Sequence, residues 1–157
     1  MLTMKEEATT QLARSLLAAG WIVRLKVAGR SMKPFLGSGS LIRIAPLPSV
    51  SPPALGDIVL LRAASGRLVA HRVIELQGET YRTKGDSSGE PDSPVHRSRL
   101  VGKVIGIEGP IFLPLDGRVA RYIGLLVNRH YPRLVRLKAA LKRRLSGNAP
   151  RLAGEGS

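Results

Sequence analysis

The stretch Asp57-Ile58-Val59-Leu60-Leu61-Arg62-Ala63-Ala64-Ser65-Gly66-Arg67-Leu68-Val69-Ala70-His71-Arg72-Val73-Ile74-Glu75-Leu76 decides the fold class. Two runs of aliphatic, partly β-branched residues flank Ala64-Ser65-Gly66, a tight-turn sequence. The spacing predicts a strand over residues 57–62, a turn, and an antiparallel partner over 67–76. Residues 21–27 alternate Trp21, Val23, Leu25 and Val27 against Ile22, Arg24 and Lys26, the period of a strand with one apolar face. Further strands are expected over 41–45, 80–83 and 100–108. Residues 46–53 carry four prolines and form a loop. Residues 85–98, broken by glycines and prolines, form an irregular or functional one. Several short strands joined by hairpin turns predict a mainly β protein whose antiparallel core closes partly into a barrel.

Helices are expected at both ends. Thr9 or Thr10 can cap a short helix over 11–19 that stops at Gly20, with Leu12, Leu16 and Ala19 on one face. After Pro114 the pattern predicts two helices, over 119–128 and 133–145, broken at Pro132. In the second, Leu134, Leu137, Leu141 and Leu145 line one side, and Arg133, Arg136, Lys138, Lys142, Arg143 and Arg144 cover much of the rest. Residues 148–157 are a small-residue tail with the composition of a disordered segment. The expected organisation is a β domain with its N-terminal helix over 1–115, a basic helical extension over 116–147, and the tail.

Composition narrows the chemistry. Aromatic residues make up 4% of the 157, so the core is aliphatic. The chain has no cysteine, which excludes thiol catalysis, disulfides and cysteine-ligated metals. Lys and Arg number 25 against 11 Asp and Glu, a net charge of +14 that attracts phosphate polyanions or anionic lipid. Much of the excess is local: positions 118, 121, 129, 133, 136, 138, 142, 143, 144 and 151 are basic, and residues 118–151 hold no acid. No stretch approaches the ~20 apolar residues that span a bilayer. Glu6 and Glu7 sit where a secretion signal would be apolar or basic. The expected location is the cytoplasm or the periphery of a membrane.

Four residues carry candidate chemistry. Ser31 lies just past a predicted strand end, in Gly29-Arg30-Ser31-Met32-Lys33-Pro34. His71 lies in the second strand of the hairpin, in Ala70-His71-Arg72-Val73. Asp86 closes Thr83-Lys84-Gly85-Asp86, and Asp92 follows in the same loop. A serine hydroxyl is a poor nucleophile until a base takes its proton, and histidine titrates near the working pH. A carboxylate then holds the imidazole in one tautomer and stabilises the imidazolium.

The same stretches resemble the type I signal peptidases, in the branch that uses Ser-His-Asp rather than Ser-Lys. In that branch a Ser-Met pair precedes a Gly-Asp that opens a strand, here Gly56-Asp57-Ile58-Val59. A strand carrying His-Arg-Val follows, then a Thr-Lys-Gly-Asp loop with a second aspartate, then a strand like Val101-Gly102-Lys103-Val104. The resemblance spans residues 21–108. It implies a serine endopeptidase that cleaves an extended signal, leader or pro-segment after small residues, without metal or organic cofactor. Ser31 is then the nucleophile, His71 the general base, Asp92 by position the acid that orients it and Asp86 a supporting acid, with the reverse assignment of the two aspartates left open. The Ser31 amide is an expected oxyanion donor. The chain departs from the family in Asp86-Ser87-Ser88, where an Asp-Asn-Asn is usual, and in lacking the anchor that normally precedes the serine.

Other readings of the residues stay open. Lys33 and Lys84 are formal candidates for a Ser-Lys dyad, although Lys84 lies beside Asp86, which favours its charged form. A non-catalytic peptidase-like binding protein is an alternative, as is a self-cleaving repressor, whose family uses Ser-Lys. The basic helix is either a solvated face or an in-plane helix on an anionic membrane surface. No nucleic-acid-reading motif is present, so nucleic acid is not among the expected partners.

Overall fold

The computed structural model describes residues 4–108, 113–114 and 117–146. Helix α1 (Met4–Ala18) precedes strands β1 (Val23–Lys26), β2 (Leu41–Ala45), β3 (Ile58–Arg62), β4 (Leu68–Gln77), β5 (Thr80–Lys84), β6 (Val95–His96), β7 (Leu100–Glu108) and β8 (Leu113–Pro114). Helix α2 (Arg118–Ser146) follows. Seven strands lie in the order β1-β2-β7-β3-β4-β5-β6 and curl into a half-barrel, with β8 paired to β7. All pairings are antiparallel, as the hairpin sequence predicts.

The hairpin forms between β3 and β4 in the register Ile58↔Arg72, Val59↔His71 and Leu60↔Ala70. Strand β3 is paired on both edges, by β4 and β7, and its alternate side chains are buried in two cores, one on each face of the sheet. That is why its sequence runs apolar without alternation. Ile58 and Leu60 join one core with Met32, Leu36, Ile42, Ile44 and Val104. Val59 and Leu61 join a second with Val73, Tyr81, Val95 and Leu100. Asp57, just before β3, is fully buried, with Oδ2 at 3.0 Å from Lys103 Nζ and Oδ1 at 3.6 Å from Arg121 Nη1.

Several boundaries differ from those expected. Helix α1 begins at Met4 rather than near Thr9 or Thr10, and it buries Ala13 and Leu17 rather than Leu12, Leu16 and Ala19. A 3.6-residue period marks a face only to within one position, and the small Ala13 lets α1 approach β1 and β7 closely. Strand β1 is shorter than its alternation predicts, and Trp21 stays outside it, 65% exposed. The Pro-rich loop contains a short 3-10 turn over Leu47–Ser49. The expected tail at 148–157 lies outside the described residues.

The largest correction concerns Pro132. One helix, not two, runs through it. A proline lacks the N–H that would bond the carbonyl four residues earlier, which is Asn128. Lys84 Nζ donates to that carbonyl at 3.2 Å. The group that proline leaves unpaired is thus satisfied from β5, and the helix continues.

Helix α2 packs against β4 at Gly124, where an added Cβ would fall on the Arg72 guanidinium. Gly124→Ala is therefore expected to destabilise the fold by about 1–3 kcal/mol. The measurement is the urea midpoint at constant m-value. An unchanged midpoint would mean that α2 is not seated on Arg72.

Candidate active site

Ser31 follows β1 in a turn that leads into Met32 and Leu36, both buried in the core. Those two apolar anchors fix the turn from below, while Ser31 itself stays half-buried. A second segment holds the turn from above. Ser87 N donates to the Ser31 carbonyl at 2.8 Å, and Ser87 Oγ donates to the Arg30 carbonyl at 2.8 Å. The approach needs Gly85: a Cβ there would lie 2.7 Å from the Ser31 carbonyl oxygen and 2.9 Å from Ser31 Cβ.

His71 lies on β4 opposite Val59, and its imidazole reaches the serine. Ser31 Oγ is 3.1 Å from His71 Nε2, and His71 Nδ1 is 2.6 Å from Asp92 Oδ2. Thr83 Oγ1 donates to the same carboxylate oxygen at 2.7 Å, and Asp92 N donates to the Thr83 carbonyl at 2.8 Å. Thr83 is fully buried at the end of β5, so it is a fixed mount for Asp92. A carboxylate at Nδ1 selects the tautomer protonated there, which leaves Nε2 free to accept the serine proton. The imidazole side chain is 12% exposed and the carboxylate 34%. Three residues from three distant segments thus stand in a serine–imidazole–carboxylate line.

Burial alone would push the Asp92 carboxyl up. The hydrogen bonds from His71 and Thr83, with the charge of His71, outweigh burial and hold it below its ordinary value.

Asp86 stands elsewhere, which settles which of the two aspartates touches the imidazole. It is fully buried against Arg72, the neighbour of His71. Arg72 Nε donates to Oδ1 at 2.8 Å and Nη2 to Oδ2 at 2.6 Å. Asn128 Nδ2 of α2 donates to Oδ1 at 2.8 Å, and Arg72 Nη1 donates to the Gly56 carbonyl at 2.7 Å. The guanidinium also lies over the Phe35 ring, 5.1 Å from its centre. Asp86 is a support for the loop rather than a partner of His71.

Sequence reasoning missed Asn128, Arg72 and Ser87 as parts of this framework. One signal for Asn128 was available: it precedes Pro132 by four residues, where a helix needs an outside partner. Lys84, a formal dyad candidate, directs its Nζ to the Asn128 carbonyl. Lys33, His96 and His130 are exposed. Among the described residues no three His, Asp or Glu side chains cluster as metal ligands.

A cleft of about 640 Å³ opens beside Ser31, lined by Leu25, Val27, Met32, Leu60, Leu68 and Ala70. Strand β1 ends the sheet, and β4 pairs with β5 only from Arg72 onward. Among the described residues, no strand therefore covers the outer edge of β1 or the side of residues 68–71 away from β3. Two unpaired backbone edges and an apolar floor suit an extended chain that adds as a strand.

Two expected outcomes follow. Asp86→Ala leaves a buried Arg72 without its carboxylate and should lower stability by about 3–5 kcal/mol in urea denaturation. A loss below about 1 kcal/mol would mean the pair is not buried as described. For Asp92 the folded pKa is depressed. Its stabilising contribution is therefore full above the unfolded carboxylate value of about 3.9 and is lost as pH falls through the lower folded value. The stability gap between wild type and Asp92→Asn should close on acidification through that window, and a gap that widens there would contradict the assigned bonds. No protein-family model matches this chain, and no curated protein matches it, so the chemistry rests on the arrangement of Ser31, His71 and Asp92 itself.

Proposed function

We propose that the protein is a serine endopeptidase resembling the Ser-His-Asp signal peptidases, cleaving an extended peptide by acyl-enzyme chemistry. The observation that carries the reading is the hydrogen-bonded line from Ser31 Oγ through His71 to Asp92. A solvated loop serine has no need of an imidazole whose other nitrogen is held by a carboxylate. A nucleophile does.

The steps follow from the atoms. A peptide lies in the cleft as an added strand, its carbonyl carbon near Ser31 Oγ. His71 Nε2 takes the hydroxyl proton as Oγ attacks. Asp92 stabilises the imidazolium that forms and keeps its ring oriented. Negative charge develops on the former carbonyl oxygen, where the Ser31 amide is the candidate donor. His71 then returns the proton to the leaving amine. Water, deprotonated by the same imidazole, releases the acyl group and regenerates Ser31.

The apolar lining beside Ser31 favours apolar side chains on the substrate, and the resemblance implies small residues at the cleavage point. The enzyme works in the cytoplasm or at the periphery of a membrane. Among the described residues no helix is long and apolar enough to cross one.

The test is turnover of a peptide library rich in small-residue sites. Ser31→Ala should abolish cleavage with the fold intact. Asp92→Asn should lower kcat by about 10³–10⁴-fold, the order lost when a triad carboxylate is neutralised. A serine-directed phosphonate should label wild type and not Ser31→Ala. Cleavage that survives Ser31→Ala would sink the peptidase reading, and an unlabelled wild type would leave a peptide-binding protein.

A further inference from the structure

Helix α2 presents two faces of opposite character. Arg121, Gly124, Asn128 and Pro132 recur every three or four residues and form the seam against the body: Arg121 on Asp57, Gly124 on Arg72, Asn128 on Asp86, with Pro132 buried. Val119, Ile123, Leu126, Leu134, Leu137 and Leu141 recur at the same three- or four-residue spacing, interrupted by the exposed His130 between Leu126 and Leu134, and two residues out of phase with the seam. At about 100° per residue that is about 200° around the helix, on the far side from the seam. All six are exposed, Leu134, Leu137 and Leu141 at 57%, 66% and 58%.

Charge identifies the occupant. Arg129 and Arg133 border the apolar stripe on one side, and Lys138 on the other, all exposed. Helix α2 holds no Asp or Glu. A second copy packed stripe to stripe would bring these cations against each other with no acid on the helix to offset them. A nucleic acid would pair with the cations and leave the leucines in water. An anionic bilayer satisfies both: acyl chains receive the leucines, and headgroup phosphates meet the cations. Length does not argue for a span, since no helix among the described residues is apolar enough to cross.

We propose that α2 lies in the plane of an anionic membrane surface, its leucine stripe at the acyl boundary, and carries the β domain there on its opposite face. The proposal goes beyond the peptidase reading and does not require chemistry at Ser31.

Co-sedimentation with phosphatidylcholine vesicles, with and without phosphatidylglycerol, tests it on the full chain. The protein should pellet with the anionic vesicles and remain in the supernatant with phosphatidylcholine alone. High salt should release it. Leu137→Glu with Leu141→Glu should weaken binding at least tenfold, with far-UV circular dichroism confirming that the variant is folded. Arg133→Gln and Lys138→Gln should each weaken it about fivefold. Ser31→Ala should bind as wild type does, so a failed peptidase assay and a failed membrane assay are separable. The proposal is overturned if the leucine variant pellets like wild type. A dimer that the leucine variant dissociates, without vesicle binding, overturns it too, as does binding to duplex DNA that ignores the leucines while vesicles fail to bind.

Discussion

The buried pair between Arg72 and Asp86 is the constraint on which the site's geometry depends. Arg72 follows His71 on β4, and alternate side chains on a strand leave by opposite faces. Fixing Arg72 on one face fixes the backbone from which His71 leaves on the other. Asp86 lies in the loop that also carries Ser87 and Asp92. Fixing it places Ser87 on the carbonyls of Arg30 and Ser31, and Asp92 on the imidazole. One ion pair therefore sets the relative position of three chain segments that are far apart in sequence. Such a pair adds little net stability over an apolar substitute, because removing both charges from water costs nearly what their attraction returns. What it supplies is register: a bidentate fork has few ways to meet a carboxylate.

Helix α2 completes that pair. Asn128 donates to Asp86 Oδ1 and to the Lys84 carbonyl, while Lys84 donates to the Asn128 carbonyl. The exchange works because Pro132 has left the Asn128 carbonyl without its helical donor. A proline that would break an isolated helix here creates an acceptor that β5 uses. Gly124 removes the side chain that would otherwise keep α2 away from the guanidinium. Helix and loop are thus locked by local exceptions to regular structure, each satisfied by the other.

These exceptions also explain what the sequence did and did not disclose. The hairpin was legible because turn residues and apolar runs at fixed spacing have few alternatives, and β3 and β4 pair as expected. Ser31, His71 and Asp92 were legible as residue types in a known order. The choice between Asp86 and Asp92 was legible only through the family resemblance, which puts Asp92 in the orienting position; both are acids in one Gly/Ser/Pro loop, and nothing local separates them. Only the tertiary placement of Arg72 and Thr83 does. The uninterrupted α2 was hidden for the same reason: Pro132 ends a helix unless a distant donor intervenes, and Lys84 is a distant donor. The buried face of α1 slipped by one residue because Leu12 and Leu16 are bulkier than Ala13 and periodicity weights size over fit.

The two aspartates of one loop stand in contrasting environments. Asp86 is fully buried and receives three donors over both oxygens, so its charge is fully matched. Any reaction that changed the charge on a neighbour would act against that match. Asp92 is one-third exposed and receives its side-chain donors on Oδ2. Its field is open enough to strengthen when a positive charge forms on the imidazole, which is the response a triad carboxylate must give. The rigid acid holds the loop, and the responsive acid stands at the imidazole. Exchanging their environments would undo both arrangements, since a saturated carboxylate has little left to offer an imidazolium and a half-exposed one cannot hold a buried arginine.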